Sequence, residues 1–161
     1  MTSTSTLEAP AVRSTKPRRA GRRAFAALGL VVALGLTASA CTSGEEDHAT
    51  ALVNQARSGA RVGNLSTNVT LVLTAQSWSQ HLAQIGGLVH RSPLSDGAPA
   101  GWRKLGENVG FGSSVDVVQG AFMNSAGHRA NILDPSFNNI GIGVTVDGNG
   151  RRWVVQEFAA L

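Results

Sequence analysis

Ile140-Gly141-Ile142-Gly143-Val144-Thr145-Val146-Asp147-Gly148-Asn149-Gly150-Arg151-Arg152-Trp153-Val154-Val155-Gln156-Glu157-Phe158 carries the period that decides the fold class. Ile140, Ile142, Val144 and Val146 alternate with Gly141, Gly143 and Thr145, the two-residue period of a strand with one buried face. Asp147-Gly148-Asn149-Gly150 is rich in residues that accept turn conformations, and Arg152 to Phe158 returns as a second strand. The stretch predicts a hairpin over residues 140–158. Glycine at alternate positions of its first strand leaves one face open to close approach by another backbone or side chain.

Toward the N-terminus the period becomes helical. Ala49, Leu52, Val53 and Ala56 fall at i, i+3, i+4 and i+7, behind an acidic Glu45-Glu46-Asp47 start. Leu71, Ala75, Trp78, Leu82 and Ile85 step 4-3-4-3 and stop at Gly86-Gly87. A third pattern opens with Ser113-x-x-Asp116, a capping-box-like pair, and runs through Val117, Val118, Ala121 and Phe122. Helices first and a hairpin last, with Pro- and Gly-rich loops between, predict α+β rather than alternating βαβ units. One small domain over residues 48–161 has enough chain for a modest core.

The first 40 residues have a different composition. Arg13, Lys16, Arg18, Arg19, Arg22 and Arg23 precede the uncharged run from Phe25 to Ala40, so residues 1–40 are read as an export signal. The run is shorter than the roughly 20 residues that span a bilayer. Arg22-Arg23-Ala24-Phe25 resembles a twin-arginine export motif and is equally well read as a plain basic flank. Ala38-Ser39-Ala40-Cys41 also has two readings. Ala-x-Ala suits ordinary signal peptidase, whereas small-small-Cys resembles the lipobox in which the cysteine is acylated. Cys41 is the only cysteine, so no disulfide closes within the chain, and a lone exported thiol favours lipid attachment at Cys41. The expectation is a domain anchored to the outer face of the cell membrane, or secreted, behind a polar tether over residues 41–47.

That division relocates the charge. The formal net charge is +4, but six of the 14 Lys+Arg and one of the 10 Asp+Glu precede residue 41. Eight basic and nine acidic side chains remain, a charge of −1. The basic character belongs to the leader, and nucleic-acid binding is not expected.

Four ordered stretches resemble the bacterial branch of the CAP superfamily (cysteine-rich secretory, antigen 5 and pathogenesis-related proteins). They are His90-Arg91-Ser92-Pro93, Gly106-Glu107-Asn108-Val109-Gly110, Phe122-Met123-Asn124-Ser125-Ala126-Gly127-His128-Arg129-Ala130-Asn131-Ile132-Leu133, and Ile140–Val144 with Trp153–Phe158. The resemblance implies a three-layer α-β-α sandwich with a central antiparallel sheet. It also implies a cleft lined, in eukaryotic members, by two His and two Glu. Carried over by motif, His90, Glu107 and His128 are three of these, and Ser125 stands where the fourth would be Glu.

Two imidazoles and a carboxylate suit Zn²⁺ or another divalent ion, with His90 and His128 as the metal ligands. The residue-level alternative is a pair of helix-end histidines hydrogen-bonded to backbone or to Glu107. Ser125 is read as capping the turn at Gly127-His128 rather than as a nucleophile. Asn108, Arg129 and Asn131 are read as tying loops to backbone. The resemblance implies an extracytoplasmic binding or interaction module for a lipid or envelope ligand. The alternative is a metal-assisted hydrolase, peptidase-like or cell-wall-directed, with Glu107 as general base.

Overall fold

The hairpin is present as β3 (Asn139–Val146) and β4 (Arg152–Ala160) in a computed structural model that describes residues 44–161. The remaining elements are α1 (Gly44–Gly59), β1 (Ser66–Thr67), α2 (Val69–Ile85), β2 (Lys104–Gly112), α3 (Val115–Asn124) and α4 (Ala126–Leu133). The strands form one sheet in the order β1-β3-β4-β2. The three long strands are antiparallel, as expected; two-residue β1 adds a parallel pair and makes the sheet mixed.

Alternation along β4 separates two cores. Val154 and Phe158 join Ala49 and Val53 of α1, Val118 and Phe122 of α3, and Ile132 of α4 on one face. Trp153 and Val155 join Ala75 and Leu82 of α2 on the other, so the domain is an α-β-α sandwich. The alternate glycines of β3 are what bring α2 onto the sheet. A Cβ at Gly141 would lie 2.1 Å from the Leu71 carbonyl carbon, and one at Gly143 would lie 2.3 Å from Ala75 backbone.

Local signals fix the ends of the elements. Asn68 caps α2 by accepting from the Leu71 amide, and Gly86, at φ 64, ends it in the left-handed conformation. The stripe Leu71, Ala75, Trp78, Leu82 faces inward, whereas Ile85 is 50% exposed at the last turn. The cap of α3 is Ser114, whose side chain accepts from the Val117 amide, rather than Ser113. Asp116, expected as its capping-box partner, instead meets the His48 ring at 3.0 Å.

Residues 44–47, expected as the end of a polar tether, are the first turn of α1. The reason is that the acidic side chains have acceptor work to do there. They sit at the positive end of the helix, Glu45 binds Arg152 at 2.9 Å, and buried Glu46 accepts from the Val144 amide at 3.2 Å. Among the described residues no helix is long and apolar enough to cross a membrane. The export signal, Cys41 and the first part of the tether lie outside the described residues.

Candidate functional site

β2 is the outermost strand next to β4, and the chemistry gathers along it. Glu107 lies in its middle with a side chain 1% exposed. Its Oε1 meets Nδ1 of His90, in the loop after α2, at 2.7 Å and accepts the Arg91 amide at 3.1 Å. Its Oε2 is buried and has no hydrogen-bond partner among the described residues. Burial pushes the Glu107 carboxyl above its ordinary range; the His90 hydrogen bond and the Arg91 amide oppose the rise, and neighbouring Glu157 adds to it.

His128 sits in the first turn of α4, its ring 4.9 Å from the Phe122 ring. Burial lowers its pKa, and the charge of His90 lowers it further. A chain of side-chain amides holds this turn against β2. Asn131 Nδ2 donates to Glu107 O at 3.1 Å and to Asn108 Oδ1 at 2.9 Å. Asn108 Nδ2 in turn donates to His128 O at 3.1 Å and to Gln156 Oε1 at 3.0 Å. Arg129 Nη1 donates to Met123 O at 2.9 Å. All three residues donate to backbone carbonyls, as expected, but those carbonyls belong to β2, α4 and α3 and not to loops.

Ser125 precedes α4 as its N-cap residue, but its side chain makes no capping hydrogen bond. Ser125 and His128 instead line a groove of about 290 Å³ whose other walls are apolar, among them Leu88, Val109, Phe111, Val118 and Phe122. A larger, open depression of about 480 Å³ at the hairpin turn is lined by Phe111, Gly112, Ser113, Asn149, Gly150 and Arg151 and holds none of the expected site residues. The structure thus joins His90 to Glu107 directly, and Ser125 to His128 through the groove.

A model of the cysteine-rich secretory protein family, CAP, matches residues 50–158. The chain belongs to the CAP family. The Bacillus subtilis protein YkwD is 31% identical over 122 residues, covering 70% of this chain and 47% of that protein, so the chain spans about half its curated relative. An extracellular protein containing an SCP domain from Bacillus anthracis superposes with TM-score 0.64 at 26% identity, over 73% of this chain and 41% of that one. An outer surface protein of Borrelia burgdorferi shares the fold at TM-score 0.65 and 15% identity, over 71% and 91% of the two chains.

Within this CAP domain the donor set can be tested against a divalent ion. Glu107 Oε1 is committed to His90 and the Arg91 amide, so Glu107 stands behind His90, the carboxylate–imidazole arrangement that orients a metal-binding histidine. Among the described residues no group of three or more His, Cys, Asp or Glu is gathered to enclose an ion. His90 Nε2 and His128 would be the residues to hold such an ion, with its other positions left to water or ligand. Such an ion would supply Lewis acidity and a fixed positive charge.

Two residues of this neighbourhood escaped the sequence reading as site members. Glu157, 2% exposed, stands opposite Glu107 in the β2–β4 register, and Arg91 binds it at 2.9 Å. The available signal was a carboxylate inside the apolar run Trp153–Phe158, where a charge has to be paired if it is buried.

Proposed function

We propose that the domain is an extracytoplasmic binding module. Its groove takes an apolar group of an envelope or lipid ligand, while His90 and His128 hold a divalent ion. The observation that carries this reading is the groove itself: apolar walls closing on one imidazole and one hydroxyl, the usual makeup of a small-ligand site. Export is supported by the basic-then-apolar composition of residues 1–40 and by the extracellular Bacillus anthracis relative. Anchoring through Cys41 belongs to the same proposal.

The test is calorimetry with Zn²⁺, together with mass spectrometry of lipid retained by protein purified from its native envelope. The H90A/H128A double variant is expected to lose Zn²⁺ affinity at least about tenfold, equivalent to about 1.4 kcal/mol, and to retain less lipid. Wild-type Zn²⁺ binding and wild-type lipid retention in a folded double variant would sink the reading.

One observation favours the hydrolase as a second reading: the buried Glu107 carboxyl with an unpartnered Oε2 and a raised pKa. Against it, Glu157 is engaged by Arg91 and Thr74, and Ser125 Oγ bonds to neither imidazole among the described residues. Loss of peptide or cell-wall hydrolysis in E107Q, with activity retained in S125A, would select the enzyme.

A further inference from the structure

Arg91 follows His90 directly, and its side chain is 13% exposed. The guanidinium makes five contacts. Nε donates to Glu157 Oε1 at 2.9 Å, and Nη2 donates to Glu157 Oε2 at 3.1 Å and to Leu94 O at 2.9 Å. Nη1 donates to Asp96 O and, at 3.5 Å, to Pro93 O. Glu157 Oε2 also receives the Thr74 hydroxyl of α2 at 2.6 Å. The Arg91 backbone amide donates to Glu107 Oε1, the oxygen that meets His90 Nδ1. Arg91 is thus fastened to β4 by its side chain and to β2 by its main chain, and the loop of residues 93–96 is wrapped on its fork.

We propose that Arg91 and Glu157 are positioning residues of the cleft, whose buried fork-to-carboxylate pair fixes residues 90 and 91 so that His90 Nδ1 stays on Glu107 and Nε2 is left for the ligand. Three lines support this role. Glu157 is directly opposite Glu107, so the pair and the site share one stretch of ladder. A residue held at both ends has little freedom to move its neighbour, and a ring nitrogen bonded to a carboxylate sets the tautomer of the other. The guanidinium also sets a positive charge on Glu157, a buried carboxylate that faces buried Glu107 across adjacent strands. Lysine cannot reproduce this, because an ammonium has three donors from one atom in place of a planar fork.

The role rests on the cleft reading above for its purpose, but its test contains no ligand, so the two can fail separately. Long-range ¹H–¹⁵N correlation spectra read the tautomer of the His90 ring. The wild type is expected to hold the Nδ1–H form. R91K is expected to lose that signature and to exchange the amide at position 91 about tenfold faster, with the core amides of Val154 and Val155 unchanged. E157Q is expected to shift both readouts in the same direction by a smaller factor. A folded R91K with an unchanged His90 tautomer and unchanged exchange at position 91 would overturn the proposal. So would loss of the fold in both variants, which would make the pair an element of folding and not of positioning.

Discussion

Arg57 is 1% exposed, and its guanidinium donates to four backbone carbonyls: Gly63 at 2.6 Å, Ile132 at 2.8 Å, Asp134 at 2.9 Å and Phe137 at 3.1 Å. These carbonyls belong to the ends of α1 and α4 and the loops beyond them, where backbone acceptors have no helical partner. R57M keeps the apolar stem and removes every donor. Urea denaturation should show a loss of about 3 kcal/mol or more, since buried carbonyls are left unpaired. Asp134 supplies a pH-dependent contribution at the same corner. The Lys104 ammonium, helped by Ser136, lowers its pKa to about 2. A folded pKa below the unfolded one means that this stabilisation is present above about pH 4 and is lost as pH falls toward 2. D134N should flatten stability between those pH values, and added salt should shrink the difference because Lys104 is half exposed. Neither residue was legible in advance. Arg57 reads in sequence as an ordinary basic helix end, and three of its acceptors lie 75 to 80 residues away. His90 and Glu107, 17 residues apart, were legible only through the motifs that carry the family resemblance, because no local spacing pairs them.

At the scale of elements, the contact between α2 and β3 is the tightest test of the fold. The alternate glycines announce in sequence that something approaches closely; the structure identifies it as helix backbone, which cannot yield as a side chain could. G143A should therefore cost about 3 kcal/mol, at the upper end of overpacking, as measured by thermal or urea unfolding. G148A, in the open hairpin turn, should cost far less by the same measurement. The hairpin was readable because burial imposes period two on both its strands. β2 was not read as a strand: Gly106, Gly110 and Gly112 interrupt its pattern, and aromatic or branched side chains of other elements occupy the space a Cβ would take. α4 escaped for a related reason. Only Ile132 of its eight residues is buried, so it lacks the stripe that marks a helix in sequence.

At the scale of the whole molecule, the cleft depends on both layers of the sandwich. Neighbouring residues of one strand face opposite sides: Glu107 meets the loop that follows α2, and Asn108 meets α4. The site is therefore built only when both cores have closed, and a destabilising change in either should weaken it. The remaining question of scale is where such a domain is held. Its formal charge of −1 gives no net attraction to anionic lipid, and the proposed anchoring assigns membrane residence to the N-terminal segment. Cys41 carries that role in the proposed anchoring and lies outside the described residues. C41S removes the acylation site while leaving Ala38-Ser39-Ala40 for ordinary cleavage. Cell fractionation with mass spectrometry of the mature N-terminus should find the wild type acylated in the membrane fraction. The C41S protein should be unmodified, cleaved after Ala40 and soluble outside the membrane. An unmodified Cys41 in the wild type, or equal membrane residence of the two proteins, would exclude the lipid anchor and leave the domain secreted.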